Sequence, residues 1–137
     1  MFRFLRAHWG VIAGDTLTIA AITLAGFGTH GTLVTAGVRI WSTFLPLLAA
    51  WLLVGVHVGV FDPRNLRSPD RLWRPVWAMI LAAPVFGLMR AWFLGSPVIS
   101  VLFVMVIGGV GALTMLLWRG IYWFWTARRA AHLKTDG

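Results

Sequence analysis

Four apolar runs, residues 11–29, 40–61, 75–94 and 98–118, dominate this sequence of 137 residues. Each is close to the ~20 residues that a helix needs to cross a hydrocarbon core. Lipid offers no water to backbone N–H and C=O groups, so only helices and closed barrels can span it. Runs of this length without strict apolar–polar alternation specify helices. Composition agrees, with 59% of residues hydrophobic and 12% charged, about half the charged fraction of a soluble domain. The expected fold class is all-α: an integral membrane four-helix bundle, a single domain over residues 1–137, with both termini cytoplasmic.

The segments between the runs carry the orientation. Residues 1–10 interleave Arg3 and Arg6 with Phe2, Phe4 and Leu5 before Trp9, an interfacial lead-in. Read instead as a signal peptide, this stretch has only a poor cleavage site at Thr23-Leu24-Ala25, and Asp15 has no place in a disposable segment. Residues 30–39 form a Gly/Thr-rich connection. Asp62 to Arg74, with four arginines and two prolines, is an aqueous loop, and Gly95-Ser96-Pro97 is a tight turn. Beyond Arg119 the aromatic run 121–125 reads as the last helix leaving the bilayer, with a frayed tail from Ala130. Four spans put both termini on one side. Ten of the twelve basic residues fall there, and only Arg39 and Arg90 fall on the other, which makes the first side cytoplasmic. The net charge of +8 flanks apolar segments, so the expected partner is a bilayer with anionic headgroups and not nucleic acid. Glycines and threonines in the first run, Gly55 and Gly59 in the second, and Gly108, Gly109 and Gly111 in the fourth suit close helix–helix contact. Other membrane subunits or a second copy of the chain are further partners of that kind.

Asp15 is the one carboxylate inside an apolar run. A charge at such depth costs ~2.5–3.5 kcal/mol at a helix centre and requires a partner. At ~1.5 Å per residue, Arg119 leaves the fourth helix at nearly the depth of Asp15, with Arg74 the rival. A structural clamp is the preferred reading over a proton or ion relay, because arginine neighbours hold an acid ionised. On the opposite side, Arg90, His30 and Arg39 have no carboxylate near them. They are read either as lipid-phosphate and helix-end contacts or as a shallow site for a small anion or anionic headgroup. His57, between Gly55 and Gly59, is a conceivable axial ligand for a haem or chlorophyll, against the plainer reading of a histidine bonded to a neighbouring helix. His8 and His132 are interfacial. Ser42, Ser68, Ser96 and Ser100 have no base in a recognisable motif, and no histidine pair stands at metal spacing. Enzymatic chemistry, a cofactor and a metal are therefore not expected.

Several short motifs stand in order along the chain. They are Asp15 early in the first run, Gly28-Thr29-His30 at its outer end, Phe44-Leu45-Pro46 early in the second, and Gly87-Leu88-Met89-Arg90 closing the third. Phe103-Val104 and Leu117-Trp118-Arg119 lie in the fourth. In this order the chain resembles the small prokaryotic membrane proteins of domain-of-unknown-function family 3054, from about Asp15 to Arg119. Leu45 stands where the family pattern has an aromatic residue. The resemblance implies a four-helix integral membrane protein and supplies no activity; the expected location is the cytoplasmic membrane. The leading functional expectation is a structural or accessory subunit, or a lipid-interacting module. The alternatives are a small oligomeric transporter or channel for an ion or small anion, and a pigment- or haem-binding subunit resting on His57.

Overall fold

The computed structural model describes residues 2–32, 34–66, 68–96 and 98–135. Among them there are four long helices, α1 (Phe2–Thr29), α2 (Val38–Val58), α4 (Trp73–Phe93) and α5 (Val101–Thr135), and two short helical turns, α3 (Pro63–Leu66) and a 3-10 turn (Pro69–Arg71). The described residues contain no strand. The four long helices are each long and apolar enough to cross a membrane.

α1 packs on α2 and α5, and α4 packs on the same two, which closes a four-cornered ring. Cross-links at both ends fix the directions. Asp15 of α1 bonds Arg119 of α5, and Arg90 of α4 bonds Thr43 of α2. Neighbouring helices therefore run antiparallel, and the start of α1 and the end of α5 share one end of the bundle, called basal here. The axis is filled by Ile19, Leu47, Trp51, Met79, Phe86 and Met115, none of them measurably exposed. The α4–α5 seam is built from small residues. Gly108 lies against Ala83, and Gly111 against the Met79 side chain. Close backbone approach of this kind drives association where lipid removes the hydrophobic incentive. Gly109, expected in the same strip, points to open space. Outside the ring, leucines such as Leu17, Leu53, Leu81, Leu88, Leu113 and Leu117 are exposed, an apolar girdle suited to acyl chains.

Threonine hydroxyls of α1 are satisfied within their own helix. Thr16, Thr18 and Thr23 donate to the carbonyls four residues back, at 2.8, 2.8 and 2.9 Å. Such back-bonds let a hydroxyl sit in an apolar helix.

Helix ends share one device. After α2, Gly59 is left-handed (φ 74°), Gly59 N–H donates to Val56 and Val60 N–H donates to Gly55. Those paired bonds define the Schellman stop, and the same pairs close α1 at Gly31 and α4 at Gly95. The stop at Gly59 comes before the expected end of the second span at residue 61. Val60 and Phe61 turn back into the core, and the Phe61 ring meets Trp51 edge-on at 6.3 Å. At the other end of the chain, α5 continues unbroken to Thr135, so the stretch from Ala130 expected to fray is helical that far. It starts at Val101, three residues after the expected residue 98, where Ser100 Oγ accepts the N–H of Phe103.

Candidate functional site

Two polar constellations lie inside the bundle, one near each end, with a third at the basal surface. The basal one centres on Asp15, which is 1% exposed, and Arg119, which is 4% exposed. Arg119 Nη2 donates to Asp15 Oδ2 at 2.6 Å and Arg119 Nε to Oδ1 at 3.0 Å, a bidentate fork of the strong kind. Each oxygen takes one more donor. Trp51 Nε1 reaches Oδ2 at 3.2 Å and Trp118 Nε1 reaches Oδ1 at 3.0 Å. The Arg119 guanidinium also lies 5.7 Å from the centre of the Phe61 ring. Gly14 opens the space this needs, since any side chain there would overlap the Trp118 indole. The carboxylate is thus bound by α1, α2 and α5 together. With four donors around it, it has little room to exchange a proton with solvent.

Arg74, the rival partner, goes elsewhere. Its Nη1 donates to the Val58 carbonyl at 2.5 Å, and its guanidinium sits 5.1 Å from the Trp73 ring centre.

At the distal end, a cavity of about 570 Å³ opens between α1 and α5. Its walls are mostly apolar, among them Ile22, Phe27, Val106 and Ile107, while His30, Thr43 and Arg90 supply its polar edge. Arg90 is half-buried. Its Nε donates to Thr43 Oγ1 at 3.4 Å, and its guanidinium lies 5.2 Å from the Phe103 ring centre. The chain has four acids, and among the described residues the one ion pair is that of Asp15 with Arg119. Arg90 therefore has a hydroxyl and a ring for company, but no carboxylate. Of the three residues grouped by the sequence on this side, His30 and Arg90 line the cavity. Arg39 is exposed, outside its lining.

His57 is exposed, with Nδ1 2.7 Å from the Leu53 carbonyl of its own helix. The glycines that flank it are covered: a side chain at Gly55 would meet Phe61, and one at Gly59 would meet Arg74. Neither glycine therefore leaves a bare helix face for a macrocycle to lie against. His8 and His132 have side chains outside the described residues.

Two features of these sites were not expected from sequence, the indole donors of Trp51 and Trp118 and the Thr43 and Phe103 contacts of Arg90. A buried Trp N–H requires an acceptor, and Asp15 offers the one carboxylate within an apolar run. That rule would have pointed to the tryptophans at its depth.

A family model described as protein of unknown function (DUF3054) matches residues 12–122. No curated protein and no solved structure matches the chain.

Proposed function

Given that the chain belongs to the DUF3054 family, whose description assigns no activity, we propose that it is a lipid-interacting accessory module of the cytoplasmic membrane. In this reading it has no reaction chemistry of its own and holds an amphiphile with an acidic head in the distal cavity. One observation carries the proposal: Arg90 stands at an apolar cavity between helices with no carboxylate among the described residues to neutralise it. A cation at that depth is costly unless it is paired or snorkels to the interface. A phosphate or carboxylate head would meet it with charge-assisted hydrogen bonds. The chain of the same molecule would cover the wall formed by Phe27, Val106 and Ile107. The volume of about 570 Å³ lies within the ~300–1,000 Å³ range of small-molecule sites. The ion-coupling alternative draws no support from Asp15, whose two oxygens are filled by Arg119 and two indoles. The pigment alternative draws none from His57, which is tied to Leu53.

Native mass spectrometry of the full chain extracted in mild detergent tests this. The expected result is an acidic amphiphile that travels with the wild type and is retained about tenfold less by Arg90→Gln, the scale of one lost charge-assisted bond. Equal retention by the two proteins would remove the basis for the proposal.

A further inference from the structure

The basal end carries a third constellation, separate from the distal cavity and from the Asp15 cluster. Where α2 ends, two side chains from later in the sequence are held by its last carbonyls. Arg74 Nη1 donates to Val58 at 2.5 Å, and Asn65 Nδ2 donates to Gly59 at 2.8 Å. Gly59 is left-handed at φ 74°, and a side chain there would press on Arg74 and Asn65, at 3.0 and 3.3 Å. The turn that stops the helix thus also builds the seat for both residues. In front of it opens a polar hollow of about 430 Å³ lined by His57, Asp62, Arg64, Asp70, Arg71 and Arg74 among others. Behind it, Arg71 and Arg74 also line a void of about 20 Å³ beside Arg119 and Tyr122. A void of that size admits one water-sized group.

One donor in this seat is unused. Arg74 Nε is buried and has no hydrogen-bond partner among the described residues. An unmet donor on a charged group is costly. The lining has both signs of charge. Among the described lining residues, Arg64, Arg71 and Arg74 stand with Asp62 and Asp70, three arginines and two carboxylates. Asp62 Oδ1 accepts the Arg64 N–H at 2.9 Å, and Asp70 Oδ2 accepts the Ser68 hydroxyl at 3.0 Å. A purely anionic ligand would be drawn by the arginines and repelled by the carboxylates, whereas a zwitterion satisfies both. The hollow also lies where α2 and α4 leave the apolar girdle, with Trp73 and Trp77 exposed on the first turns of α4. Exposed tryptophans mark the headgroup level of a span.

We propose that this hollow binds a zwitterionic phospholipid headgroup of the phosphoethanolamine type. The phosphate would satisfy Arg74 and Arg71, and the ammonium would lie toward Asp62 and Asp70. This site stands apart from the distal cavity and does not depend on the function proposed for it.

The test uses the full chain carrying Arg90→Gln, so that the distal cavity does not contribute. Native mass spectrometry compares retention of phosphatidylethanolamine, phosphatidylglycerol and phosphatidylcholine of the same acyl composition. The expected order puts phosphatidylethanolamine first by about tenfold, since the glycerol head lacks the cation and the choline head lacks N–H donors. Adding Arg74→Gln lowers that retention about tenfold. Adding Asp62→Asn with Asp70→Asn instead abolishes the preference over phosphatidylglycerol. Should Arg74→Gln fail to fold, Arg71→Gln, at an exposed position, takes its place with the same expected loss. Equal retention of the three lipids, or retention unchanged by the arginine variant, overturns the proposal. Displacement of the lipid by millimolar inorganic phosphate overturns it too, because free phosphate would then be the ligand.

Discussion

Asp15 shows how one residue can decide the packing of a bundle. Its carboxylate takes both arms of the Arg119 fork and an indole N–H from Trp51 and from Trp118. Removing one member of a buried, hydrogen-bonded pair leaves the other charged and unmet, at ~3–5 kcal/mol in soluble proteins. Asp15→Asn and Arg119→Gln are each expected to lower stability to detergent denaturation by about that much, and the double variant by far less than the sum. Fully additive losses would show that the two act independently. The pair was legible in the sequence because depth along two antiparallel helices is simple arithmetic, and the polar residues at that depth are few. The indoles were not legible, because nine tryptophans in a membrane chain read first as interfacial anchors. Depth alone does not say which of them turns inward. Arg90 is a similar case: the sequence marks it as unpaired, but Thr43 and Phe103 as its contacts depend on how α2, α4 and α5 face one another.

The long helices themselves were readable from hydropathy, since runs of ~20 apolar residues leave the backbone no other solution in lipid. Their ends were less so. α2 stops at Val58 because Gly59 turns left-handed and ties back to Val56, although the apolar run continues through Val60 and Phe61. Apolar character told where lipid or core is preferred, and the glycine told where the helix breaks. Here the two disagree by three residues. α5 errs in the opposite sense. Its tail is basic and aromatic, which argues against a buried segment, yet nothing in it breaks a helix, and it stays helical to Thr135. By sequence Gly108, Gly109 and Gly111 all suit close helix–helix contact. In the structure Gly108 and Gly111 meet α4 while Gly109 points away, because residues one apart on a helix do not share a face.

On the scale of the whole molecule, the two ends of the bundle differ in kind. Among the described side chains, the basal end carries Arg64, Arg71, Arg74, Arg119, Arg128 and Arg129 and the closed Asp15–Arg119 cluster, against Arg39 and Arg90 at the other end. The distal end has the open cavity and the cation without a carboxylate. By the positive-inside rule the basal end is the cytoplasmic one, and this orientation is our proposal. The chain has no cysteine, so single cysteines report cleanly. In intact cells, Ser96→Cys at the distal turn is expected to react with an impermeant maleimide, and Ser68→Cys in the basal loop only after permeabilisation. The reverse pattern would invert the molecule.

In the proposed function the distal cavity selects its occupant by an acidic head. Val110→Cys places the only thiol of the chain on the cavity wall. Its rate of maleimide labelling, measured in detergent with oleate or oleyl alcohol present, reads occupancy directly. Oleate is expected to slow labelling about tenfold more than the alcohol of the same chain, and Arg90→Gln to erase the difference. Equal protection by the acid and the alcohol, or protection by oleate that survives Arg90→Gln, would contradict it.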